Sequence, residues 1–234
     1  WLEFRRVVFP SINKIVFGDL NLKVSSDEYF RKFNVNTNIV RDGVENFYTK
    51  GIIEFVNKKP ILSLDTKFEN FDIQALGPLL SSVFSDMRGN ATGRANIVGN
   101  ASNPEIDGVI YLEDAGMKVP YLNVDYDLED RARIDITENQ FFFRNFQIED
   151  TKYKTNGIVS GTIKHKNLDK WVLDVKIESD NILGLDTPPT DDSYYYGTAF
   201  MDGYAIFKGP VEALSINVKG ESKNGTVIQY LQKY

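Results

Sequence analysis

The sequence predicts an all-β fold, an elongated and strongly bent antiparallel-rich sheet with one short helix. Three observations carry this. Apolar and polar residues alternate with a period of two along most of the chain, as in strands with one apolar and one wet face. Turn signals punctuate those runs: Arg41-Asp42-Gly43, Lys58-Lys59-Pro60, Ser102-Asn103-Pro104, Thr155-Asn156-Gly157 and Lys223-Asn224-Gly225. A glycine-marked pair of short strands also recurs 110 residues further along.

In chain order, Leu20, Leu22 and Val24 alternate with Asn21 and Lys23, and Leu62, Leu64 and Phe68 lie opposite Ser63, Asp65, Lys67 and Glu69. From Leu76 the period changes. Leu76, Leu79, Leu80, Val83 and Phe84 follow helical spacing and predict about three turns of amphipathic helix over 76–86. Asp72 suits its start, Pro78 its first turn and Arg88-Gly89 its end. Such a helix plugs one end of a β core; a membrane-surface helix would need more positive charge than Arg88 supplies. It divides the chain into a β-rich segment 1–71, a helical junction 72–89 and a repeat-bearing segment 90–234.

Period two then resumes. Leu122, Val124, Tyr126 and Leu128 alternate with Asn123, Asp125 and Asp127. Ala132, Ile134 and Ile136 follow, then Trp171, Leu173, Val175 and Ile177, then Leu214, Ile216 and Val218. The repeat runs Gly93-x-Ala95-x-Ile97-x-Gly99, Pro104-x-Ile106-x-Gly108, and returns as Gly203-x-Ala205-x-Phe207-x-Gly209, Leu214-x-Ile216-x-Val218. A related fragment joins Gly157 to Ile163 with Trp171 to Ile177. Glycines this frequent weaken a flat strand and suit sharp curvature or close stacking.

A sheet of this extent presents a long apolar face that one helix cannot cover. At about 12 residues per strand and turn, the chain gives about 19 strands, spanning about 90 Å in one ladder. Either a second sheet packs against that face about 10 Å away, or the sheet bends into an open trough filled by another apolar substance.

The glycine-marked units, including Gly161-Thr-Ile163-x-His165 with Trp171-x-Leu173-x-Val175, resemble the repeats of TamB-type translocation and assembly module proteins, of the AsmA-like group. The resemblance is strongest over residues 86–228. It implies a β-taco, a tapered trough with an apolar interior that carries phospholipid toward the outer membrane of a Gram-negative bacterium and assists outer-membrane protein assembly. It also implies a periplasmic location, an inner-membrane anchor and membrane contact through segments outside this chain, and an outer-membrane assembly barrel of the TamA or BamA kind as partner.

Composition narrows the chemistry. The 234 residues carry 27 Lys+Arg against 33 Asp+Glu, a net charge of −6, which disfavours nucleic acid and anionic membrane surfaces as partners. With 42% hydrophobic residues the chain has the apolar content of a folded domain. There is no Cys, and one His, His165, which sits between two lysines and reads as a solvated loop residue. Thiol and serine–histidine catalysis and zinc binding therefore lack their residues, no phosphate-binding loop is present, and neither an enzyme nor a cofactor is expected. Asp191-Asp192 before Tyr194-Tyr195-Tyr196 is the most suggestive polar cluster, and reads as a flexible loop after Pro188-Pro189. The opening Trp1-Leu2-Glu3-Phe4-Arg5-Arg6 reads as a cut into a longer polypeptide, and no apolar run is long enough to span a membrane.

Two functions stay open. In the first, Leu122, Val124, Tyr126, Leu128, Ile134, Ile136, Trp171, Leu173, Val175, Ile177, Leu214, Ile216 and Val218 face a lumen and solvate acyl chains. In the second, a β-sandwich buries those residues and recognises protein or glycan through loops such as 186–196.

Overall fold

The computed structural model describes residues 18–41, 43–166, 170–189 and 195–230. Asp42, Asp191, Asp192 and Tyr194, the opening hexapeptide, and the side chains of Leu79 and Tyr195 lie outside the described residues. The alternating runs form β1 (Asp19–Ser26), β2 (Lys32–Arg41), β3 (Val44–Val56), β4 (Lys59–Asp72), β5 (Ser85–Asn100), β6 (Glu105–Val119) and β7 (Val124–Leu128). They continue through β8 (Ala132–Thr137), β9 (Gln140–Asp150), β10 (Asn156–Lys166), β11 (Lys170–Thr187), β12 (Tyr195–Pro210), β13 (Ser215–Ser222) and β14 (Val227–Tyr230). All 14 belong to one antiparallel sheet in chain order. Antiparallel pairing follows from the short connections, which cannot carry a parallel crossover.

Two of the ladder positions are shared. β7 and β8 both lie between β6 and β9, and β13 and β14 both pair with β12. The pairs Gly116↔Asp127 and Leu112↔Ala132 differ in register by one residue, so β7 and β8 are one strand interrupted by a bulge at 129–131. The path thus has 12 positions, about 53 Å across. The expected 19 strands and 90 Å are too many because the strands are long, up to 18 residues in β11.

Register explains how the apolar face becomes continuous. One row of paired residues crosses every position: Leu20, Ile39, Phe47, Phe68, Gly93, Ile110, Ile134, Phe143, Gly161, Val175, Phe207 and Ile216. Its two gaps are glycines. A Cβ at Gly93 would stand 2.2 Å from the Val109 carbonyl oxygen, and one at Gly161, where φ is +126°, 2.1 Å from that of Asp174. Strands approach there more closely than any side chain permits, which lets the sheet fold around its apolar side. The 110-residue repeat is also a repeat of pairing: Gly93↔Ile110 and Ile97↔Ile106 map onto Gly203↔Gly220 and Phe207↔Ile216.

The helix is shorter than its spacing predicts. A 3₁₀ turn (Ile73–Leu76) leads into one α turn (Gly77–Leu80), and β5 already begins at Ser85, so Arg88-Gly89 lies within a strand. Asp72 does cap the start, accepting from the Gln74 amide at 3.0 Å. The apolar spacing reflects a common destination, since Leu76, Leu80, Val83 and Phe84 all face one cavity although the last two lie beyond the helix. The segment is an insertion in the β4–β5 hairpin, whose strands pair directly from Asp72↔Asn90. The sheet therefore runs unbroken through 72–89.

Burial is uneven along the sheet. Among the described residues before Ile73, the buried side chains are Asn46, Thr49 and Thr66, with the two threonine hydroxyls hydrogen-bonded at 2.8 Å. The apolar core begins at Ile73. No second sheet is present among the described residues, so the face is not covered by a facing layer of strands.

Candidate functional site

The curled face of β4–β12 encloses a cavity of about 620 Å³. The side chains lining it are apolar except for Ser82 and the hydroxyls of Tyr121 and Tyr126. Its floor is buried: Ile134 and Ile136 from β8, Phe146 and Ile148 from β9, Val159 and Ile163 from β10, Trp171 and Leu173 from β11. Its flanks are half-exposed, with Phe68, Leu76, Leu80 and Ile97 on one side and Val175, Val211 and Leu214 on the other. Such a surface offers dispersion contact and freedom from water but almost no directional hydrogen bonding.

Of the residues named from sequence, Leu122, Tyr126, Leu128, Ile134, Ile136, Trp171, Leu173, Val175, Ile177 and Leu214 line this cavity. Val124, Ile216 and Val218 do not. Ile216 packs half-buried against the core. Val218 shares its face but is 62% exposed, because β13 is the edge strand and nothing lies over its far end. Val124, 2% exposed, belongs instead to a solid wall at one end of the cavity, with Ile182 and Leu183.

That wall is sewn shut by polar groups from strands distant in the ladder. The Asp186 amide donates to the Leu122 carbonyl (3.0 Å), the Asn123 side-chain amide to the Asp186 carbonyl (2.5 Å), and the Tyr126 hydroxyl to the Leu183 carbonyl (2.7 Å). Burial, and then the negative charge of Asp150, raise the Tyr126 pKa, so the phenol stays a neutral donor. Burial pushes the Asp186 carboxyl up, but hydrogen bonds from Lys152 (2.6 Å) and Thr198 (2.7 Å) and the Lys152 charge outweigh it and lower its pKa. Asp150, fully buried, accepts from the amides of Lys152, Tyr153 and Thr155 and from the Thr155 hydroxyl. That hydroxyl in turn accepts from the Leu183 amide at 2.7 Å, tying the β9–β10 turn to β11.

On the outer face, Arg88 of β5 reaches across Gly116 of β6 to Asp125 (2.7 Å) and Asp127 on β7. A Cβ at Gly116 would meet the guanidinium at 2.2 Å, so this clamp over three strands needs the glycine. It leaves the cavity face free of charge.

Sequence reasoning missed the aromatic floor of β9 and misplaced His165. The histidine is a buried strand residue, 6% exposed, paired with Trp171 and stacked between Phe141 (5.6 Å between ring centroids) and Trp171 (5.4 Å). Burial lowers its pKa below the usual 6.5. The neutral ring is the one the fold accepts, so the unfolded chain binds more protons as pH falls below 6.5 and stability rises with pH in that range. Urea titrations at pH 7.5 and 5.5 should show a loss of stability on acidification that His165→Phe reduces. An unchanged loss in that variant would assign the effect to carboxylates alone.

Among the described residues no group of His, Asp or Glu is placed to hold a metal ion, and no helix is long and apolar enough to cross a membrane. No family model, no curated protein and no solved structure matches the chain.

Proposed function

We propose that this polypeptide is a lipid-carrying segment of a TamB-like protein, a β-taco trough whose cavity shelters acyl chains in transit. The observation that supports it most is the near-absence of hydrogen-bonding groups from a 620 Å³ cavity formed by nine strands and two helical turns of a single sheet. Burying that lining against a partner molecule recovers about 25 cal/mol per Å² of apolar surface, whereas a specific polar ligand would find almost nothing to bond. In this reading the segment lies in the periplasm of a Gram-negative bacterium, anchored to the inner membrane through other segments. It passes phospholipid toward an outer-membrane assembly barrel of the TamA or BamA kind, and no residue acts as a catalyst.

A photoreactive amino acid at Leu173, on the cavity floor, provides the test. Irradiation in cells should yield covalent lipid adducts, and the same group at exposed Val218 should yield few. Equal labelling at the two positions, or none at Leu173 in a folded protein, would remove the proposal.

A further inference from the structure

We infer that the cavity holds one acyl chain at a time, inserted tail first against the wall of Val124, Tyr126, Ile182 and Leu183. The inference rests on the lipid-carrying reading and adds capacity and orientation to it. A methylene group takes about the room of a water molecule in the liquid, about 30 Å³, so a cavity of 620 Å³ holds about 20 of them. One chain of about 16–18 carbons fits, and the roughly 32–36 carbons of a diacyl lipid do not.

The wall fixes direction. Val124 (2% exposed), Ile182 (1%) and Leu183 (1%) leave no space beyond them, and three hydrogen bonds join the Leu122–Tyr126 segment to Leu183 and Asp186 across that end. An acyl chain passing through would have to break this seam. The half-exposed flanks, by contrast, leave an opening between the helical turns beside β5 and the β12 side. A polar headgroup thus stays at the opening while the methyl end meets the wall. For a diacyl lipid, the second chain lies outside the cavity, against the half-buried apolar face of β1–β4.

The test measures affinity against acyl length with the purified protein, using free fatty acids of 10–22 carbons below their micelle concentrations and 1-acyl lysophosphatidylethanolamines of matched length. Affinity should tighten about fourfold per added methylene and level off near 18 carbons, at one acyl chain per protein. Ile148→Ala, which trims the cavity beside the wall, should move the plateau about two carbons longer, and Val218→Ala should leave it in place. Should Ile148→Ala fail to fold, Leu128→Ala, at a half-buried lining position, serves instead. Equal affinities for the two series assign recognition to the acyl chain alone; tighter lysolipid binding assigns the headgroup a share. Both outcomes keep the one-chain cavity. Affinity rising without a plateau to 22 carbons, or two chains bound at saturation, overturns the inference and leaves the lipid-carrying reading standing. Absence of binding at every length overturns both.

Discussion

Val124→Asp is expected to unfold the domain, while Val175→Asp leaves it folded and abolishes lipid capture. Both valines point to the same face of the sheet, and a closed hydrophobic core would reject a carboxylate at either. The structure separates them. Val124 is packed among Ile182, Leu183 and Tyr126 at the sealed end, with no route for water. An unpaired carboxylate there costs more than about 4 kcal/mol, a large share of the roughly 5–15 kcal/mol by which a domain is stable. Val175 is half-buried on the cavity flank, and its neighbour in the row is Gly161, which has no side chain to crowd it. A carboxylate at that position hydrates through the opening at a cost of about 1–2 kcal/mol. It places a charge in the path of an acyl chain, so adducts from a photoreactive Leu173 should fall at least about tenfold. Circular dichroism and urea denaturation of the two variants, read beside the crosslinking yield, check the pair. Equal unfolding by both would mean that the cavity is core, and equal tolerance would mean that the wall is open.

The fold was legible because the sheet's side-chain period is two and most strands keep it. Leu122 to Leu128, Ala132 to Ile136 and Trp171 to Ile177 announce their faces without help from distant contacts. The repeat announced a pairing register as well, which the β5–β6 and β12–β13 hairpins share. Three features hid. In Gln140-Phe-Phe-Phe-Arg-Asn-Phe the aromatic run masks alternation, and a register shift between Phe143 and Phe146 moves the cavity face by one residue. Bulges of this kind are set by the neighbouring strand rather than by local pattern. His165 continues the alternation of Ile163, but its flanking lysines suggested a solvated loop; those lysines simply occupy the outer face. The wall was invisible for another reason. Its contacts join residues about 60 positions apart, Asn123 with Asp186 and Tyr126 with Leu183, and no periodicity encodes where two ends of a curled sheet meet. The sequence therefore specified which residues are greasy and inward, but not which of them meet empty space and which meet each other.

The polar side of that wall yields the second large effect, because Asp150 is a fully buried carboxylate whose partners have no other acceptor placed for them. Its oxygens accept from the Lys152 amide (3.0 Å), the Tyr153 amide (2.6 Å), the Thr155 amide (2.7 Å) and the Thr155 hydroxyl. Asp150→Ala strands these donors in the turn, and each buried donor left unmade costs about 1–3 kcal/mol. The loss spreads. Thr155 holds the Leu183 amide, and Tyr153 stacks edge-on against Phe200 of β12 at 5.0 Å between ring centroids. A destabilisation of about 3–5 kcal/mol is therefore expected, with an unchanged slope in urea if unfolding stays cooperative. Asp150→Asn keeps an acceptor oxygen but places amide hydrogens where only acceptors fit, and should cost about 1–3 kcal/mol. A loss below about 1 kcal/mol for Asp150→Ala would mean that the turn finds other partners. The seam would then be held by Asp186 and Tyr126 alone, and acyl chains longer than the wild-type plateau should still stop at the same wall.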